Sequence, residues 1–247
     1  GGVGVGLVAE EKLVVNMSRD GGLNSFEVKG DLQLLVTDAA YGKALVPLQL
    51  GANPGYQFKT HPNIAKPPFQ SESLLGLRDP SRPFPVGSAV GVLKWRMAST
   101  DEAVVPLTVN CWPTQTGGDS WEVTVEYELG DAFSRLEIRN LAVTIPAPVD
   151  SVPSVTPSVG TASFSKREGA VTWHVPLIDS SSSSGTVEFV LQGLASADSL
   201  FPIQCSFHSP STLCELAISE VRSAEAGGGS LPFHYTPSLT VESYVIS

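Results

Sequence analysis

The segment Trp121-Glu-Val-Thr-Val-Glu-Tyr-Glu-Leu129 alternates apolar and polar side chains without interruption. Trp121, Val123, Val125, Tyr127 and Leu129 share one side, and Glu122, Thr124, Glu126 and Glu128 share the other. Side chains of a strand repeat every two residues, so the pattern predicts an antiparallel strand with one buried and one wetted face. The period recurs at Val171, Trp173 and Val175, at Val187, Phe189 and Leu191, at Ile203, Cys205 and Phe207, and at Leu239 and Val241. No segment of comparable length carries a capped helical period. The chain is expected to be all-β, without the phosphate cradles of helix N-termini or the switch points of parallel sheets.

Turn residues divide these runs. Arg19-Asp20-Gly21-Gly22 separates an apolar run at 13–17 from a strand candidate around Phe26 and Val28, which predicts a hairpin. A strand follows over 30–36. From Asn53 to Pro85 the prolines are frequent, and a residue without an N–H cannot sit in a central strand. That stretch is expected to be loop or edge. Strands return at 90–97 and 107–112, with a break at 113–118. Residues 145–157 read as irregular, 180–185 as an exposed hairpin tip, and 224–230 as a flexible loop. Residues 1–6 read as a linker or cloning remnant.

A chain of 247 residues can bury a full core, as one long sandwich or two smaller units. Its net charge of −10 argues against nucleic acid as a partner, because phosphate backbones are held by clustered Lys and Arg. Three cysteines, Cys111, Cys205 and Cys214, make an odd count without metal-ligand spacing, so free thiols in a reducing compartment are expected. Cys205 should be buried with Ile203 and Phe207, Cys111 is read on the face opposite Val109, and His174 should face solvent. No helix-length apolar run could cross a bilayer. Four scattered histidines and the absence of a nucleophile elbow, zinc helix, P-loop or calcium loop give no catalytic group, cofactor or metal site. The chain is not expected to be an enzyme.

Charge distribution carries more. Lys59, Lys66, Arg78, Arg82, Lys94 and Arg96 face only Glu72 and Asp79 over 59–96, a local +4 in a chain of −10. This stretch is a candidate surface for an acidic partner. The polar candidates are Lys59, His61, Asn63, Lys94 and Arg96; the apolar walls are Leu74, Leu77 and Trp95. Alternation sets Trp95 on the side opposite Lys94 and Arg96, which makes it the first to surrender to the core.

Several blocks in this order resemble one family. Ser18-Arg-Asp-Gly-Gly22, Phe58-Lys-Thr-His-Pro-Asn63, Glu72-Ser-Leu-Leu-Gly-Leu77, Gly91-Val-Leu-Lys-Trp-Arg96, Leu107-Thr-Val-Asn-Cys-Trp-Pro113 and Val125-Glu-Tyr-Glu-Leu129 are similar to the C-terminal μ-homology domain of coatomer delta subunits. So is the ending around Tyr244. The resemblance runs nearly end to end. It implies two elongated antiparallel β-sandwich subdomains, the second inserted into the first: subdomain A at 7–113 plus 212–247, and subdomain B at 114–211.

The resemblance also implies a role in the COPI vesicle coat, cytoplasmic and on the cytosolic face of Golgi and vesicle membranes, in Golgi-to-endoplasmic-reticulum and intra-Golgi traffic. Membrane association would then be peripheral, through the coat. Implied partners are the other coatomer subunits and tryptophan-containing peptides in disordered segments of an endoplasmic-reticulum tether and of Arf GTPase-activating proteins. Related clathrin-adaptor chains read tyrosine motifs with an aromatic and an aspartate on the first strand. Gly6 and Val8 fall at those positions here, and neither can stack on a tyrosine ring or accept its hydroxyl. A tyrosine-reading cargo domain and a purely structural coat domain are the alternatives.

Overall fold

The computed structural model describes residues 4–247. Strands account for 55% of it and helices for 8%, which makes the fold all-β. In chain order the strands begin with β1 (Val5–Met17), β2 (Leu23–Val36), β3 (Ala44–Pro47), β4 (Gln49–Leu50) and β5 (Gln57–Thr60). Helix α1 (Lys66–Glu72) precedes β6 (Leu74–Leu75), β7 (Val90–Ser99), β8 (Leu107–Gly117), β9 (Ser120–Leu129) and β10 (Ile138–Pro146). Then come β11 (Ser154–Pro157), β12 (Thr161–Ser165), β13 (Ala170–Ile178), β14 (Ser184–Leu191) and β15 (Ile203–Ser209). The last are β16 (Leu216–Ala217), β17 (Arg222–Ser223) and β18 (Phe233–Ile246).

The chain forms two compact units. One takes the chain through Lys12, Val28–Ala98 and Thr212–Leu239; the other takes Leu13–Glu27, Ser99–Ser211 and Thr240–Ser247. This division differs from the expected 7–113/212–247 and 114–211 in assigning 13–27, 99–113 and 240–247 to the second unit. The cause is strand length: β1, β2 and β18 have 13 or 14 residues, enough to supply apolar side chains to two cores. The expected linker at 1–6 is also corrected where it is described. Val5 and Gly6 belong to β1, and Val5 is fully buried; Gly1–Val3 lie outside the described residues.

The first unit orders β18-β1-β2-β7-β5 in its main sheet, with β5 at the edge. Small ladders β16-β4 and β17-β3-β6 complete it. Leu7, Leu32, Leu34, Ile64, Phe84 and Leu93 are among its buried residues. Two prolines read as loop instead start α1, where the first-turn N–H groups have no intrahelical partner and proline costs nothing. The helix closes at Ser73, which has φ 56° and donates its N–H to Phe69 O at 2.9 Å.

In the second unit a four-stranded sheet, β11-β14-β9-β8, is separate from the one holding β12-β13-β10-β15-β18. Tyr127 of β9 and Trp173 of β13 meet across the two layers with ring centroids 5.5 Å apart. The Trp121–Leu129 alternation is realised, with Val123, Val125, Tyr127 and Leu129 buried. The expected break at 113–118 is part of β8, which runs on to Gly117 beside β9. Pro113 is accommodated because β8 is an edge strand. The 180–185 segment joins β13 to β14 in different sheets, so it is a crossing between layers and not a hairpin tip. Val109 and Cys111 are both buried, since positions two apart share a face; the opposite-face expectation for Cys111 was an error of parity.

Candidate functional site

The basic stretch folds entirely within the first unit. β5 pairs antiparallel with β7, setting Lys59 opposite Lys94 and Gln57 opposite Arg96. All four side chains are exposed on one face. The other face carries Phe58 opposite Trp95 and Thr60 opposite Leu93, and there the side chains turn inward.

Trp95 therefore belongs to the core and lines neither cleft of this surface. It is 2% exposed, and its indole Nε1 donates to Glu11 Oε2 at 2.8 Å. The indole lies so close to Gly30 that a Cβ there would sit 2.1 Å from it. Glu11 also accepts from the backbone N–H of Leu213 and, at 3.1 Å, from that of Cys214. Its carboxylate knits β1, β7 and the 213–214 segment together inside the core.

His61, Asn63 and Leu77 come together in a cleft of about 530 Å³. Arg78, Arg82, Phe84, Pro85 and Val90 complete the lining with Ile64, Asp79 and Pro83. The cleft rim is rigid by hydrogen bonding. Asn63 N donates to His61 Nδ1 at 3.0 Å, Arg78 N donates to Asn63 O at 2.8 Å, and the Arg78 guanidinium donates to Pro62 O at 3.2 Å. Ile64 and Leu77 form an isolated antiparallel bridge. Asp79 accepts from Ser81 Oγ at 2.6 Å and from Ser81 N at 3.0 Å, which holds its carboxyl below the usual range. The result is an apolar floor with two arginines and one carboxylate at the mouth.

Lys59 lines a neighbouring cleft of about 400 Å³ with Phe58, Lys66, Phe69 and Gln70, and Arg78 borders both. Lys94 and Arg96 line neither. Leu74 is half-buried in β6, paired with Pro47, and also lines neither. Arg78 and Arg82 entered the sequence reading only as charges, and Phe84 and Val90 not as site residues at all. The one signal for Arg78, Arg82 and Phe84 is the run Arg-Asp-Pro-Ser-Arg-Pro-Phe-Pro at 78–85, which reads equally as loop, and Val90 lies outside it. Glu11 had a clearer signal: it interrupts the odd-numbered apolar run Val5, Leu7, Ala9, Leu13, Val15.

The fold and the residues 5–247 match the adaptor complexes medium subunit family, and the chain belongs to it. The chain is similar to the coatomer subunit delta of Arabidopsis thaliana, 38% identical over 245 residues, covering 97% of this chain and 46% of that protein. It is 34% identical over 244 residues to that of Dictyostelium discoideum, covering 98% of this chain and 43% of that protein. The chain thus spans less than half the length of either relative. Among solved structures, the yeast delta-COP-I mu-homology domain superposes with a TM-score of 0.81 at 26% identity, covering 99% of this chain and 98% of that one. The same yeast domain complexed with a Dsl1 WxWxV peptide gives 0.79 at 26% identity, with the same coverage. The likeness to the μ-homology domain of coatomer delta subunits, carried by the sequence blocks, is what these matches show.

Proposed function

We propose that this chain is a non-catalytic peptide-binding domain of the COPI coat, taking short tryptophan-containing motifs from disordered segments of transport factors. The observation that carries this reading is the first-unit cleft, whose apolar floor of Ile64, Leu77 and Phe84 is rimmed by His61, Asn63, Arg78 and Arg82. Its volume of about 530 Å³ suits a large side chain. It is supported by the yeast relative, whose structure holds a Dsl1 WxWxV peptide. Lys59, Lys94 and Arg96 then serve acidic residues flanking the motif, with arginine and lysine stems able to cover an indole face.

A buried indole removes roughly 150–250 Å² from water, worth about 4–6 kcal/mol at ~25 cal/mol per Å². Two such anchors work against about 4–15 kcal/mol of association cost and the ordering of the peptide. Micromolar binding, about −8 kcal/mol, is the expected outcome, and it suits a coat that assembles and disperses. The tyrosine-motif alternative is disfavoured by Gly6 and Val8 on β1, which offer neither a ring nor a carboxylate. By this reading the partners are other coatomer subunits, an endoplasmic-reticulum tether and Arf GTPase-activating proteins, at the cytosolic face of Golgi membranes. Calorimetric titration with an acidic Trp-x-Trp peptide and its Tyr-x-Tyr counterpart tests it. The tryptophan peptide should bind and lose at least tenfold on Arg78→Glu; equal binding of both peptides, or of neither, overturns the proposal.

A further inference from the structure

The second unit carries a surface of opposite character. On the outward face of its four-stranded sheet, β8 presents Trp112, which is 52% exposed. Register places Trp112 directly opposite Thr124 of β9, so Glu122 and Glu126 are its diagonal neighbours on the same face. One strand further, β14 sets Glu188 opposite Thr124 and Ser184 opposite Glu128. Glu122 and Glu126 therefore flank the exposed indole, with Glu188 one strand beyond Thr124 and Glu128 further along β9 on the same face.

No lysine or arginine stands on this face, whose remaining positions on β8, β9, β11 and β14 are Ser, Thr, Asn or Val. Among the described residues none of the four carboxylates forms an ion pair, although exposed pairs occur elsewhere, as at Arg139–Glu137. Like charges on adjacent strands repel, and directly opposed ones destabilise a sheet. A face with four unpaired carboxylates and a large exposed aromatic is complementary to a cationic segment. β8 is the sheet's edge, but the Tyr244 hydroxyl already bonds Leu107 O at 2.7 Å and Pro113 offers no N–H, so docking on this face is through side chains.

We propose that this face docks an extended, arginine-bearing basic segment of a second protein, with a guanidinium over the Trp112 indole and its neighbours on Glu126 and Glu188. Arginine fits better than lysine, because its planar fork stacks on an aromatic face and bonds a carboxylate through two N–H groups. The site is independent of the tryptophan-peptide cleft, since every residue in it lies in the second unit. A second copy of this chain is a poor occupant: its net charge is −10, and its exposed basic residues Lys59, Lys94 and Arg96 lie on paired strands, not on a free extended segment.

The test is a fluorescence-anisotropy titration of the 247-residue chain with a labelled decapeptide alternating Arg and Thr, and with its Lys and Glu counterparts. The Arg peptide should bind more tightly than the Lys peptide, and the Glu peptide should not bind. Trp112→Ala and the double change Glu126→Gln with Glu188→Gln should each weaken binding at least fivefold. A control pair of equal charge change, Glu72→Gln with Glu225→Gln, should leave it unaltered. Equal weakening by the control pair, or full affinity without Trp112, would mean diffuse attraction to an acidic protein and would overturn the proposal. Absence of binding at low salt would do the same.

Discussion

The indole N–H of Trp95 is bonded to the carboxylate of Glu11 at 2.8 Å, and both residues are buried. A charged acceptor in a core is retained only where donors surround it, and here the indole and two backbone N–H groups do so. Replacing Glu11 by Leu leaves those donors without their acceptor, at about 1–3 kcal/mol for each unsatisfied group. The expected loss is at least about 3 kcal/mol, against about 1–3 kcal/mol for Trp95→Phe, which removes one donor and leaves a smaller phenyl ring. Urea midpoints of the two variants give the comparison. A Glu11→Leu chain as stable as the parent would mean that the cluster contributes nothing.

Gly30 abuts the same indole at its Nε1–Cε2 edge. A Cβ at this position would lie 2.1 Å from Trp95 Cε2, so Gly30→Ala forces the ring, and with it the Glu11 bond, to move. Overpacking of this kind costs about 1–3 kcal/mol. The effect should shrink in a Trp95→Phe background, which a double-mutant cycle measures directly.

The three cysteines are free and buried. Burial pushes the Cys111 thiol up to about 12, and Cys205 is raised further by the same cause. At pH 8 neither should react with a disulfide reagent in the native state, and all three should react after denaturation. The linkage has a definite sign: above the ordinary thiol value of 9.0 the unfolded chain ionises while the native Cys111 keeps its proton. Stability from this group is intact below pH 9 and is lost as pH rises towards about 12, by up to ~1.4 kcal/mol per pH unit. Native thiols that react at pH 8 as fast as a small-molecule thiol would contradict this.

Lys59 and Lys94 are direct cross-strand neighbours of like charge. Lys94→Glu alone should therefore raise stability by about 0.2–1 kcal/mol through a new opposite-charge pair. Combined with Arg96→Glu, it should weaken an acidic tryptophan peptide at least tenfold, about 1.4 kcal/mol, with the thermal transition preserved. Unchanged affinity in the double variant would confine peptide contacts to the His61–Leu77 cleft.

Legibility in the sequence followed the strength of the period. The Trp121–Leu129 strand was readable residue by residue, because one face is core and the other water. The same parity separates Trp95 from Lys94 and Arg96; it made Trp95 the first candidate wall to yield to the core, and the core is where it lies. What parity could not show was which sheet a strand joins, so 180–185 resembled a hairpin tip although β13 and β14 part company there. Proline was misleading in two ways. Pro113 sits in an edge strand that needs no donor on its outer side, and Pro67 and Pro68 open a helix where no donor is needed. The cleft was half legible: His61, Asn63 and Leu77 lie together, while Phe84 and Val90 reach it through a loop return that no local pattern encodes.

Three strands belong to both compact units, the boundary falling after Lys12 in β1, after Glu27 in β2 and after Leu239 in β18. Neither unit is one uninterrupted stretch of chain, so no single truncation can liberate either for separate expression. A cut at any of these points severs a strand mid-ladder and bares backbone donors and acceptors that readily recruit another chain. Fragments made there should be insoluble, and a library that samples this gene by random breakage should return the domain whole or not at all.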